Sequence, residues 1–285
     1  MFTLPANASE DRKLPILPSI EALEPRRLLS AKLVDGIIQV KGTSAADTIN
    51  VSRSGGTFTI TVGTQVTTFS VRGVHSIRIR GLGGNDTIGA GGSFPNKLVI
   101  FGGGGNDTIS GGGRSDNLAG GAGDDSISGG AKNDRISGGD GNDKLSGDAG
   151  NDRIDGGNGN DTISGGDGND SLEGAAGNDS IHGDNGKDTI KGGDDLDSLF
   201  GDADNDLLFG DNGNDSLDGG TGDDTLNGGN DNDTLFDHNG SDVLRGDAGN
   251  DSLDSADGVR GDGLNGGTGT NTVTKDALDF ESPIV

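Results

Sequence analysis

From position 107 to position 251 an aspartate stands at every ninth residue: Asp107, Asp116, Asp125, Asp134, Asp143, Asp152, Asp161, Asp170, Asp179, Asp188, Asp197, Asp206, Asp215, Asp224, Asp233, Asp242 and Asp251. Two residues after each comes an aliphatic side chain, from Ile109, Leu118 and Ile127 to Leu235, Leu244 and Leu253. Aligned on the aspartate, the unit is G-G-x-G-x-D-x-U-x with U aliphatic, as in residues 102–110 (GGGGNDTIS) and 165–173 (GGDGNDSLE). Aspartate offers a hard anionic oxygen on a short arm, and glycine lets backbone carbonyls approach a ligand closely. Calcium takes six to eight such oxygens, carboxylate and carbonyl together. Asp86, in the turn Gly83-Gly84-Asn85-Asp86, and Asp262, followed by Leu264, extend the candidate ligand set beyond the strict array.

These ligands need elements to hold them. Side chains alternate along a strand, so x-U-x reads as a minimal strand with U facing inward. The six residues G-G-x-G-x-D then read as the turn. One aliphatic per nine residues gives a continuous but thin core, too little burial to offset the entropy of ordering the chain. The array is therefore expected to be disordered without metal and to fold on binding it.

Composition agrees. Only 28% of residues are hydrophobic, Gly accounts for 58 of 285, and the net charge is −26. Of 47 acidic residues, only Glu10, Glu21, Glu24, Glu173 and Glu281 are glutamate. The acidic balance points away from nucleic acid and toward cations as partners. There is no cysteine for disulfides or thiolate metal sites. No run approaches the ~20 apolar residues of a membrane span.

Around the array the texture changes. Residues 1–30 carry no basic-then-apolar leader pattern. Segments 37–40, 48–51, 57–62, 67–71 and 76–80 are rich in Val, Ile, Thr and Phe and read as short strands, with a hairpin turn at Gly55-Gly56. Asp47-Thr48-Ile49 and Asp86-Thr87-Ile88 echo the array, so residues 31–101 are expected to form a β-strand lead-in and cap, followed by the array over 102–274. An insertion around residues 91–98 is expected to break the register, because Asp86 precedes Asp107 by 21 residues. Past Leu253 two weaker turns follow, with Asn271 in place of a carboxylate.

The nonapeptide resembles the RTX family of hemolysin-type calcium-binding repeats, over about 150 residues of the chain. That resemblance implies an all-β fold, a right-handed parallel β-roll with two turns per coil. It implies that turns 18 residues apart, such as Asp143 and Asp161, share an ion, for up to about 15 Ca2+. So many divalent ions would roughly balance the chain's own charge. A second stretch, Leu23-Glu24-Pro25-Arg26-Arg27-Leu28-Leu29-Ser30, resembles the LEPR-XLL motif near the N-termini of bacterial secreted and surface proteins, which implies sorting or processing. The tail 275–285 is compatible with the uncleaved C-terminal secretion signal that RTX proteins commonly use.

Several positions depart from the repeat. Arg114 and Lys132 replace the fourth-position glycine and are expected to weaken the turns of Asp116 and Asp134. Asp195, Asp204 and Asp231 stand at the same position, either as added ligands or as strain. Asp237 replaces the first glycine before Asp242, which marks that turn as weak. Asn recurs before the ligand Asp, as at Asn142, Asn151, Asn160 and Asn169, either as a hydrogen-bonded stack or as simple turn preference. Phe200, Phe209 and Phe236 follow U and should point outward, as scattered apolar residues or as a contact patch for a surface component, a matrix component or a second copy.

The three histidines, His75, His182 and His238, form no H-E-x-x-H, and no G-x-S-x-G is present. The expectation is a non-catalytic, secreted calcium-binding protein with a structural or adhesive role. The alternative is a calcium-triggered secretion or folding module of an enzyme or toxin system.

Overall fold

A computed structural model describes residues 30–90, 94–237, 239–256 and 261–275, together with the backbone of 280–281. The LEPR-like stretch up to Leu29, His238 and most of the C-terminal tail lie outside the described residues. Every regular element is a strand. The chain opens with β1 (Ser30–Val34), β2 (Ile37–Lys41), β3 (Thr48–Ser54), β4 (Thr57–Val62), β5 (Gln65–Ser70), β6 (Ser76–Arg80), β7 (Thr87–Ala90), β8 (Lys97–Gly104) and β9 (Thr108–Gly112). Beyond β9, successive strands go alternately to one of two sheets, each of fourteen strands among the described residues. The result is a parallel β-solenoid, in which each coil contributes one strand to each sheet.

Parallel pairing is in register over 18 residues, so like stacks on like: Ile127 opposes Leu145, Leu145 opposes Ile163, and Ile163 opposes Ile181. Every U side chain from Ile109 to Leu264 is at most 3% exposed. The two rows of U, one per sheet, face each other across a narrow interior.

Two expectations are corrected. Most array strands are six residues long, such as Thr162–Asp167, and not three. Pairing resumes beyond the first glycine, with Gly166 opposite Asp184 and Asp167 opposite Asn185, so only Gly168-Asn169-Asp170 is left to turn the corner. The register also survives the three extra residues between Asp86 and Asp107, since Thr87 pairs with Thr108 and Ile88 with Ile109. Phe94, in that longer coil, is buried and packs against Phe58 with ring centroids 5.9 Å apart.

Parallel stacking starts well before position 102. β2, β6 and β8 already run in one sheet, and β3, β7 and β9 in the other. Only the outermost N-terminal strands are antiparallel: β1 on β2, β4 on β3, and β5 on β4. They cover the end of the solenoid, and here the core broadens to include Phe58, Ile60, Val62 and Phe94. An open sheet edge invites pairing with other chains, and β5, the outermost strand of its sheet, is almost wholly solvent-exposed and polar.

Phe58 is fully buried in this end, whereas Val66 is 63% exposed. In saturating calcium, Phe58→Ala is expected to cost about 3–5 kcal/mol. Val66→Ala should stay within about 0.5 kcal/mol. Urea unfolding followed by circular dichroism measures both, and equal effects would mean that the N-terminal end is not packed as described.

Candidate metal centre

Within an array strand, inward positions alternate, so U and the first glycine of the next repeat both face the interior. Ile163 and Gly165 show the pattern, both buried. The glycine leaves a space where a side chain would be, and the aspartate five residues on fills it. A Cβ placed on Gly165 would lie 2.5 Å from Asp170 Oδ2 and 2.7 Å from the Gly183 carbonyl oxygen of the next coil. The same pair of oxygens bounds Gly147, Gly183 and most other first glycines in the array. The first glycine is thus required for space. The fourth-position glycine is required for conformation, as at Gly168 with φ +141°.

All nineteen expected ligands, Asp86, the seventeen of the array and Asp262, are at most 4% exposed. They form two columns, one at each corner where the chain crosses between sheets. In each column one carboxylate oxygen is committed. The backbone N–H of Asp143 donates to Asp161 Oδ1 at 2.7 Å, that of Asp161 to Asp179 Oδ1 at 2.7 Å, and that of Asp152 to Asp170 Oδ1 at 2.7 Å. The ladder crosses the longer coils without interruption. Asp47 N–H donates to Asp86 Oδ1, Asp86 N–H to Asp107 Oδ1, and Asp242 N–H to Asp262 Oδ1.

The second oxygen is different. From Asp86 through Asp233, Oδ2 of every column aspartate is buried without a hydrogen-bond partner, and the same holds for Asp251. A buried anionic oxygen with no donor is costly. Here the cost recurs along both columns, at most turns beside a backbone carbonyl oxygen. An all-oxygen cradle of this kind suits a hard divalent cation such as calcium. The ends of one column show what satisfaction without a cation looks like. Asp47 Oδ2 accepts from the Thr43 N–H at 2.6 Å and its hydroxyl at 3.0 Å. At the far end Asn271 Oδ1 accepts from Asp251 N–H, while its Nδ2 donates to the Gly266 carbonyl at 2.6 Å. An amide there donates where a carboxylate cannot.

Burial pushes the column carboxyls up, to about 7 at Asp125, Asp161, Asp197 and Asp233 and to about 8 at Asp206, with neighbouring carboxylates adding to the effect. The backbone N–H bonds oppose the shift without cancelling it.

The departures behave in distinct ways. Lys132 and Arg114 are exposed, and Arg114 donates to the Pro95 carbonyl at 3.0 Å. Asp134 and Asp116 beside them keep buried, unpartnered Oδ2 atoms like the rest. Asp195, Asp204 and Asp231 sit at φ +78°, +75° and +74°, a region that a short polar side chain tolerates. Asp237, in place of the first glycine, brings an additional carboxylate to its turn. Asp237 is fully buried, and the Asp224, Asp237 and Asp242 carboxylates converge with oxygens within 4.8 Å of one another. Its place in the repeat was visible in the sequence, but only the inward parity of the first-glycine position tells where its carboxylate goes.

The asparagines form a stack of their own. Asn160 N–H donates to Asn142 Oδ1 at 2.7 Å, Asn178 N–H to Asn160 Oδ1 at 2.9 Å, and Asn250 N–H to Asn232 Oδ1 at 2.9 Å. Phe200 and Phe236 share one sheet on either side of Asp218, while Phe209 lies on the other. All three are half-buried, and Phe200 stacks on His182 at 4.4 Å. His182 also holds Asp202 at 2.9 Å, and His75 lies in the lead-in near Gly36.

The model for the RTX calcium-binding nonapeptide repeat matches in successive segments that run from residue 101 to residue 259. The chain belongs to this family. No curated protein matches it. Among solved structures, it is similar to a hyperactive, Ca2+-dependent, β-helical antifreeze protein from an Antarctic bacterium. The two are 21% identical with a TM-score of 0.54, over 73% of this chain and 75% of the other, a likeness of fold. The RTX array is thus a calcium-binding β-roll, and its first glycines and aspartates are the parts that form the cradles.

Two outcomes follow. Gly165→Ala would place a methyl group against Asp170 Oδ2 and the Gly183 carbonyl; calorimetry should show at least one calcium ion fewer than in the parent protein, and an unchanged stoichiometry would reject the cradle. The second concerns pH. Folded-state pKa values raised above the unfolded ~3.9 mean that the metal-free fold is most stable below that value and weakens as pH rises through about 6–8. With chelator present, strand signal in circular dichroism should grow on acidification from pH 8 toward pH 4. A flat profile would count against the buried columns.

Proposed function

We propose that the chain is a secreted, non-catalytic protein that folds on meeting extracellular calcium and then serves as a rigid structural or adhesive element at the cell surface or in a matrix. The observation that carries this reading is the pair of carboxylate columns, buried in the folded state and lacking donors on one oxygen of nearly every member. A fold built this way has a use only where its counter-ion is plentiful. Extracellular-type calcium sites work at about 10⁻⁴–10⁻³ M, far above the level inside a cell. The same arithmetic keeps the array unfolded before export and lets folding outside draw the chain forward.

The outer surface supports a structural role. Outside the columns it carries Ser, Thr, Asn and Asp in regular rows, and cavities among the described residues are shallow furrows along a sheet face, such as the one lined by Glu173, Asp194, Phe209 and Asp247. No helix among the described residues is long and apolar enough to cross a membrane. The exposed apolar side chains Leu33, Val66, Phe101 and Leu196 are dispersed along the sequence.

The deciding measurement is circular dichroism at pH 7.5 during a calcium titration, starting from chelated protein. Strand signal should be low in chelator, should rise cooperatively as calcium approaches the millimolar range, and should fall again when chelator is restored. A strand signal indifferent to calcium would sink the proposal.

A further inference from the structure

The cradle at Gly219 differs from an ordinary one in what fills it. Beside the first glycine of an ordinary turn lie the aspartate Oδ2 of that turn and the first-glycine carbonyl of the next coil, as at Gly165 with Asp170 and Gly183. At Gly219 the next coil's first glycine is replaced by Asp237, and the nearest atoms become Asp237 Oδ2 and, at 2.8 Å, Asp224 Oδ2. A carboxylate oxygen of the next coil here lies nearer than any backbone carbonyl. Asp237 is fully buried, and as carboxylates its Oδ2 and Asp224 Oδ2 both lack a donor, a proton on either being the one thing that lets the two share a hydrogen bond. Asp237 Oδ1 makes only a long contact with Asn239 N–H at 3.5 Å. Asp242 belongs to the same group, and its Oδ1 accepts the Asp224 N–H at 2.9 Å. Asp218 and Asp223 add further negative charge near Asp224.

We propose that Asp224, Asp237 and Asp242 form a three-carboxylate cation site that binds calcium more tightly than the ordinary turns and fills first as calcium rises. The proposal rests on the calcium reading of the array. Its physical basis is the count of charged ligands, which together with rigidity sets calcium affinity over several decades. An ordinary gap offers one unpartnered carboxylate oxygen and a carbonyl, whereas this one offers two unpartnered carboxylate oxygens in the same cradle. The backbone at Asp237 is not in the left-handed region, so the residue is held there without conformational strain and is exchangeable for glycine. The site stands in the C-terminal third of the array, so the first ion would order coils there before the rest.

Equilibrium dialysis of radioactive calcium against the full chain tests this, comparing the parent protein with Asp237→Gly, which restores the ordinary repeat, and Asp237→Asn, which keeps the side-chain shape without its charge. The parent should show one ion bound at least roughly tenfold more tightly than the others. Both variants should lose that tight ion and still bind the remaining ions at high calcium, with the same strand signal. If either folded variant keeps the tight ion, or if the parent binds all its ions in a single weak class, the three-carboxylate site is rejected while the calcium array stands. A parent protein that binds no calcium at all would reject the array reading together with this one.

Discussion

The structure depends on a contradiction held inside each corner of the roll. An aspartate carboxylate must be buried because one of its oxygens receives the backbone N–H of the coil before it, and that bond fixes coil to coil. Burying it leaves the other oxygen without a donor and stacks it near its equivalents one coil away. Desolvation and mutual repulsion both oppose the arrangement, and both push the carboxyl groups toward protonation. Only a cation or a proton resolves it. The core cannot, since each coil buries just two aliphatic side chains, one per sheet. Calcium therefore occupies the place in the energetics that a hydrophobic core has elsewhere.

Much of this was legible in the period. A period of nine, together with the two repeats per coil that the resemblance to RTX repeats implies, gives two columns of aspartate and two rows of U, and the structure has both. The six-residue strands were not legible, because a glycine pair reads locally as a turn. The pairing of Gly166 with Asp184 shows that a neighbouring strand in register overrides that preference. Nor could spacing reveal that Asp86 and Asp107, 21 residues apart, still belong to one ladder. Strand pairing holds on both sides of that coil, and Phe94 within it is buried against Phe58. The Asp237 substitution looked like damage to a motif. It reads differently once its position is known to face inward, since parity then delivers a carboxylate oxygen nearer to Gly219 than any backbone carbonyl.

The ends of one column differ from its interior in how the second oxygen is satisfied. Asp47 has the neighbours of a ligand, with its Oδ2 and the Gly81 carbonyl beside Gly42, yet Thr43 donates to that oxygen through both its N–H and its hydroxyl. Asn271 keeps the acceptor that fixes Asp251 and exchanges the orphan oxygen for a donor. Each end of this column is thereby satisfied by protein atoms alone, and the unsatisfied oxygens lie between. Removing the cation would then leave the two ends the least perturbed, with the N-terminal end further supported by Phe58, Phe94 and the antiparallel strands around them.

The two ladders also run in opposite directions. Each ligand aspartate reaches back to the N–H of the preceding coil, whereas each stacked asparagine accepts from the coil that follows, as Asn142 does from Asn160. A coil at the growing end therefore offers both a donor waiting for the next aspartate and an acceptor waiting for the next backbone N–H. Neither is satisfied until the next coil arrives, and that coil brings with it the carbonyl that completes the cradle. On the proposed function, ion capture and coil addition would be the same event, and ordering should pass from coil to coil as in other stacked repeats. The sequence can change the composition of individual turns, as it does at Arg114, Lys132 and Asp204, because what an ordinary coil presents to its neighbours is backbone, one carboxylate and an empty space at the first glycine.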